Sequence, residues 1–159
     1  MNLRIGYGYD VHRLSNELSL VLGGVTIPHH KGCIAHSDGD VLLHGICDAI
    51  LGAMALGDIG VHFPDTDTQY KNISSLILLR TVYDIMFKNS YSIVNIDSCI
   101  TLERPKIMPY VLEMRQNIAS VLSVPIDCVS IKATTNETLG FIGREEGITA
   151  SAIVLLAKK

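Results

Sequence analysis

DGDVLLHGICDAILGAMAL, residues 38–56, is the stretch on which the fold turns. Val41, Leu42, Gly45, Ile46, Cys47, Ile50, Leu51 and Met54 recur three and four apart, which predicts a helix with an apolar stripe. Ser37, with Asp40 three residues later, reads as its N-terminal cap, and Gly57 as its stop. Such a stripe has to be covered, and the flanking sequence supplies strands to cover it. Upstream, residues 2–10 and 18–27 read as two strands turning through LSNE (14–17) into a hairpin, with a bulge or bend at Gly23 and Gly24. Downstream come a helix from about Ile73 to Lys88 and a strand, YSIVNIDSCITL (91–102), with Asp97 opposite its apolar neighbours. A helix introduced by Pro105 and Pro109 ends near Ser123, and a strand, CVSIKATT (128–135), follows. The glycine-rich loop LGFIGREEG (139–147) leads to an apolar closing strand, ITASAIVLLA (148–157). Interspersed helices and strands predict an α+β, two-layer α/β fold. The expectation is a mixed four-stranded sheet with helices on one face plus a small β-hairpin, in a single domain, 1–159.

Composition narrows the function. The chain is 48% hydrophobic and 18% charged, with formal net charge -3 and mean hydropathy +0.32. Its 13 Lys and Arg are scattered, which argues against a nucleic-acid surface. Cys33, Cys47, Cys99 and Cys128 are far apart without a CxxC pair, which suits reduced thiols. No apolar run approaches the roughly 20 residues that span a bilayer, and no signal sequence precedes the first strand. The expected location is cytoplasmic, or organellar stroma if a transit peptide was removed, with no membrane partner.

The chemistry begins at GYGYDVHR, residues 6–13. In a strand, Asp10 and His12 share a face. By itself Asp-x-His is common as a turn aspartate and a surface histidine. His44, one turn into the helix and interrupting its apolar pattern, can be aimed at the same strand. Two imidazoles and a carboxylate suit tetrahedral Zn²⁺ with its fourth position open for catalysis. His36 does not share the helical face of His44, so it reads as a substrate contact or leaving-group stabiliser, the plainer alternative being a hydrogen-bonding residue at the helix start. His29, His30 and His62 read as solvated loop residues. Further on, Lys132, Thr134, Thr135 and Glu137 precede glycines whose N–H groups can approach a ligand, the makings of a phosphate cradle. Glu137 suits a hard cation shared with a diphosphate. A plain turn with a solvated glutamate stays open from spacing.

GYGYDVHR (6–13), HSDGDVLLHG (36–45), GDIGVHFPDTD (57–67), ERPKIMPY (103–110) and KATTNETLGFIGREEGI (132–148) together resemble the 2-C-methyl-D-erythritol 2,4-cyclodiphosphate synthase family over essentially the whole chain. The resemblance implies a phosphorus–oxygen lyase of the non-mevalonate isoprenoid route. Its reaction cyclises 4-diphosphocytidyl-2-C-methyl-D-erythritol 2-phosphate to 2-C-methyl-D-erythritol 2,4-cyclodiphosphate and CMP. It implies one Zn²⁺ per subunit at Asp10, His12 and His44, and Mg²⁺ or Mn²⁺ at Glu137 with the substrate diphosphate. His36 and Thr135 would stabilise the transition state. Ser37, Asp58, Ile59, Gly60, Phe63 and Asp65, with Asp10 and His12, would surround the methylerythritol and its phosphates, and Thr134, Asn136 and Glu137 the phosphate side. Leu102 through Met108, including Pro105, Lys106 and Ile107, would hold the cytidine. The resemblance further implies a homotrimer with sites at subunit interfaces, and a central cavity near Phe141 and Arg144 able to take an isoprenoid diphosphate. The alternatives are a zinc-dependent phosphohydrolase of a nucleotide-linked substrate and a non-catalytic metal or nucleotide binding module.

Overall fold

A computed structural model of the chain describes residues 2–159. Strand β1 (Leu3–Asn16) runs antiparallel along β7 (Gly147–Lys158), which on its other side is antiparallel to β5 (Tyr91–Thr101). β5 is parallel to β6 (Val129–Thr134). The apolar closing strand is thus central, with a neighbour on each side. A short β4 (Lys31–Cys33) on the end of β1 makes the sheet five-stranded, in the order β4-β1-β7-β5-β6, where four strands were expected. The extra strand is three residues of loop that the overhanging end of β1 recruits, which no periodicity could announce.

The expected hairpin of residues 2–10 with 18–27 does not form. Instead β2 (Leu20–Leu22) and β3 (Val25–Ile27) pair with each other, and Gly23 and Gly24 are the two-residue turn between them, not a bulge. Their φ values of 58° and 73° are those that a tight right-twisted hairpin demands and that glycine adopts without strain.

Three long helices cover one face of the sheet. Helix α1 (Val41–Ala53) starts three residues later than expected because Asp40, not Ser37, is its cap, its carboxylate accepting from the Leu43 N–H at 3.1 Å. It is buried nearly all round, since the sheet lies on one side and α3 (Ser75–Lys88) on the other. Leu42, Leu43, Ile46, Ile50 and Leu51 are fully enclosed, each contributing about 2 kcal/mol by leaving water. Helix α4 (Val111–Leu122) packs beside α3 and over β6, ending at Ser123 in the left-handed region.

The glycines of GYGY have a packing cause. A Cβ on Gly6 would stand 1.8 Å from the carbonyl oxygen of Ala49, and one on Gly8 1.9 Å from that of Gly45. The backbone of α1 therefore rests directly on that of β1. Asp10 and His12 follow on the same face of the strand.

Candidate metal centre and active-site cleft

The close approach of α1 to β1 delivers His44 to Asp10 and His12. His44 Nδ1 is 2.9 Å from Asp10 Oδ2 and 3.1 Å from His12 Nε2, and the latter is 3.3 Å from the same carboxylate oxygen. Ligand atoms held about 2 Å from a tetrahedral Zn²⁺ stand about 3.3 Å apart, so these three outline one face of such a tetrahedron. Three atoms rich in lone pairs repel at these distances unless positive charge, a proton or a metal, lies among them. The imidazoles reflect this. Burial lowers the pKa of His44, yet the hydrogen bond and charge of Asp10, with Asp40 and Asp38 behind, outweigh burial and raise it overall. For His12 burial prevails over Asp10, and its pKa falls. The donor set fits a metal of the kind that binds nitrogen and oxygen.

The triad opens into a cleft of about 500 Å³ lined also by His36, Ser37, Ile59, Gly60, Phe63 and Asp65. Asp58 caps the short α2 (Ile59–His62), accepting from the Val61 N–H at 3.1 Å. Phe63 packs edge-on against Tyr70, their centroids 5.4 Å apart, and the pair forms a wall. His36 lies 3.4 Å from the carbonyl of Asp67. His62, expected in solvent, instead donates to the Leu56 carbonyl at 3.0 Å.

The residues of the second group sit elsewhere. Leu102, Pro105, Lys106, Ile107, Met108, Thr134 and Thr135 line a separate pocket of about 210 Å³. Asp10 is opposite Ala150, Ala150 opposite Ile100, and Ile100 opposite Ala133, so three strand spacings, about 14 Å, separate the two sites within one chain. Thr135 donates to Glu137 at 3.3 Å, and Asn136 donates through its side chain to the Leu139 carbonyl. Lys132 does not join this group: as a strand residue it points across to Asp97, donating at 2.6 Å. Phe141 lines a pocket of about 250 Å³ with Val11 and His12, and Arg144 makes a two-pronged ion pair with Glu146 at 3.0 Å.

Four supporting residues escaped the sequence reading. Glu103 accepts from the N–H groups of Asn136 and Thr138, at 2.8 and 3.1 Å, and so holds the loop in which Glu137 and Thr138 have positive φ. Asp48 accepts from the Ile59 N–H at 2.8 Å, tying α2 to α1. Ser75 Oγ is 2.9 Å from His44 Nε2 and donates to Asp38. Glu103 and Asp38 lay within blocks already singled out; Asp48 and Ser75 have no local signal.

Donors gathered from a strand and a helix, with a cleft on their free side, define an enzyme of the α+β class with a metal-capable centre. Comparison with known proteins specifies it further. The model of the YgbB family matches residues 3–157, and the chain belongs to that family. It is 56% identical over 154 residues to a 2-C-methyl-D-erythritol 2,4-cyclodiphosphate synthase of Syntrophomonas wolfei subsp. wolfei, covering 97% of this chain and 98% of the relative. It is 54% identical to the protein of that name from Clostridioides difficile, with 97% and 96% coverage. Among solved structures, the bifunctional IspDF of Campylobacter jejuni superposes with a TM-score of 0.96 at 43% identity; 99% of this chain spans 43% of that one. The Plasmodium falciparum IspF CDP complex gives 0.87 at 37% identity, covering 99% and 97%.

Proposed function

We propose that this chain is a cyclising phosphorus–oxygen lyase that converts 4-diphosphocytidyl-2-C-methyl-D-erythritol 2-phosphate to 2-C-methyl-D-erythritol 2,4-cyclodiphosphate and CMP. The observation that carries the reading is the triangle of Asp10, His12 and His44 at the mouth of a cleft rimmed by polar side chains, in a chain 52–56% identical to several synthases so named. An oxygen of the substrate's 2-phosphate attacks the β-phosphorus, the bond to the bridging oxygen breaks, and CMP leaves with that oxygen and its electron pair. The nucleophile belongs to the substrate, so no serine, cysteine or activated water is needed. The protein's task is to align two mutually repelling phosphates. Asp10, His12 and His44 would hold one Zn²⁺, which bound there supplies Lewis-acid polarisation of phosphate oxygen. Glu137 would hold Mg²⁺ or Mn²⁺ with the diphosphate. His36, at the cleft wall, and Thr135 would donate to oxygens gaining charge. Asp58, Asp65 and Ser37 suit the sugar-alcohol hydroxyls and phosphate, with Ile59, Gly60 and Phe63 shaping the wall. The pocket from Leu102 to Met108, bounded by Thr134 and Thr135, suits cytidine, with Asn136 on the phosphate side.

The separation of about 14 Å between the two sites favours a homotrimer in which the cytidine pocket of one subunit closes on the metal cleft of the next. The uncovered face of the sheet supports this: Ile5 is 73% and Tyr7 62% exposed, flanked by Tyr9, Val11, Val94 and Ile153. Arg13, Lys31 and Arg144 line a cleft near exposed Phe141, which suits an isoprenoid diphosphate at the trimer centre. The four cysteines are free thiols, and no described helix is long and apolar enough to cross a membrane. We place the enzyme in the cytoplasm. Incubating the purified protein with the substrate and Mg²⁺ tests the activity. A cyclic diphosphate with equimolar CMP is expected, and a linear monophosphate would favour a hydrolase instead. Solution mass should give three subunits.

A further inference from the structure

Behind the metal-capable triad lies a chain of hydrogen bonds that starts on α3 and passes through groups far apart in sequence. Ser75 is fully enclosed. Its backbone N–H donates to Asp38 Oδ2 at 2.9 Å, and its hydroxyl lies 2.5 Å from Asp38 Oδ1 and 2.9 Å from His44 Nε2. A carboxylate only accepts, so the single hydroxyl proton goes to Asp38. The Ser75 oxygen then has only lone pairs to offer the ring. His44 Nε2 must carry the hydrogen, and in the neutral ring Nδ1 is left bare, facing Asp10 and His12. Ser37 Oγ, 3.1 Å from Nε2, cannot impose this, because its own proton is free to turn either way.

We propose that Asp38 and Ser75 are positioning residues that lock His44 in the Nε2–H tautomer, so that Nδ1 stands ready as a metal donor. The assignment rests on the reading of Asp10, His12 and His44 as a metal centre. It also explains why the loop before α1 is stitched to the segment that leads into α3, by Asp38 N–H to Ile73 O at 3.0 Å and Asn72 N–H to His36 O at 2.7 Å. The same stitching sets the carboxylate of Asp38 and the ring of His36.

Asp38→Asn is the sharpest test because it keeps the shape and reverses the proton order. Asp38 accepts two backbone bonds, from the Ser75 N–H at 2.9 Å on Oδ2 and from the Asp40 N–H at 3.3 Å on Oδ1; the amide oxygen keeps the shorter one, which puts the amide NH₂ against the Ser75 hydroxyl. That hydroxyl then accepts, and its proton is free to point at His44 Nε2, sending the ring hydrogen to Nδ1. The variant should fold, bind Zn²⁺ about 10- to 100-fold more weakly by chelator competition, and show Nδ1–H in ¹⁵N-histidine spectra of the metal-free protein at alkaline pH. A folded variant with unchanged Zn²⁺ affinity and an Nε2–H ring overturns the proposal. If Asp38→Asn does not fold, Ser75→Ala carries the test: weakened Zn²⁺ binding, restored by Ser75→Thr, supports the lock, and unchanged binding overturns it. Asp10→Ala and His44→Ala keep the premises separate. Should both bind Zn²⁺ as the unmodified protein does, the metal reading fails. The tautomer in the spectra still decides the lock.

Discussion

Two groups of two histidines and a carboxylate stand among the described residues: Asp10, His12 and His44, and His29, His30 and Glu145. Their donor inventories are identical and their settings opposite. The first is drawn from β1 and α1, its donor atoms 2.9 to 3.3 Å apart, its helix histidine buried and bonded from behind by Ser75. The second comes from two consecutive loop residues and a glutamate of positive φ. Cations already attend that glutamate: Arg104 lies 3.5 Å from its carboxylate and Lys31 donates to its carbonyl at 2.9 Å. His29 Nε2 is buried without a hydrogen-bond partner among the described residues. Donors make a metal site when other bonds aim them and no cation competes, and only the first group meets both conditions.

The comparison can be broken most decisively at its stronger side. Asp10→Ala and His44→Ala are each expected to lose bound zinc in elemental analysis and to slow CMP release by about 10³-fold or more, the loss of several kcal/mol of charge stabilisation. Zinc retained in either variant would remove the distinction between the groups. Next in size is the support of α1. Asp40 accepts from Gly24 and Leu43, at 2.7 and 3.1 Å, and Asp40→Ala leaves both N–H groups without a partner. A loss of about 2–3 kcal/mol in denaturant unfolding is expected.

The same residue gives a pH signature. Burial pushes the Asp40 carboxyl up from 3.8 to about 6, against those two hydrogen bonds. Between these values the folded protein binds a proton that the unfolded chain lacks. This group therefore adds stability as pH falls from about 6 towards 4, by up to about 3 kcal/mol, and withdraws it as pH rises again. Comparing the pH slope of unfolding in Asp40→Asn checks the sign: the variant should lose the rise.

On the weaker side, the double variant His29→Ala, His30→Ala should keep one zinc per chain and turnover within about twofold. A drop in zinc content would promote the second group to a metal site. Smallest of all, Arg104→Ala breaks an exposed ion pair and should change stability by less than about 1 kcal/mol. A larger fall in the melting temperature would show Arg104 bracing the loop of Glu145.

What was legible followed from local periodicity and order. The run of Val41 to Met54 identified α1 because helical spacing is written within a few turns, and β7 was legible as an unbroken apolar run. The partner of β1 was not, because pairing is settled by which surface is left to cover. A hairpin of neighbours looked natural from 2–27, yet β1 runs beside β7, more than a hundred residues away. Gly6 and Gly8 carried no assigned role in the sequence and proved to be the contact surface for a helix. Lys132 looked like a phosphate ligand by its place in the line, but strand alternation turned it to Asp97.

By itself the sequence determined which side chains carry donors and that Asp10 and His12 share one strand face, since residue type and a period of two need no fold to be read. It also carried the motifs that mark the family. Only the tertiary structure decided that His44 meets them, that Ser75 and Asp38 stand behind it, and that the Glu137 loop lies strands away from the triad in the same chain. Convergence of atoms from distant segments depends on how closely two backbones pack and which strands pair. Those distances arise from the packing of the whole core, and no short stretch of residues contains them.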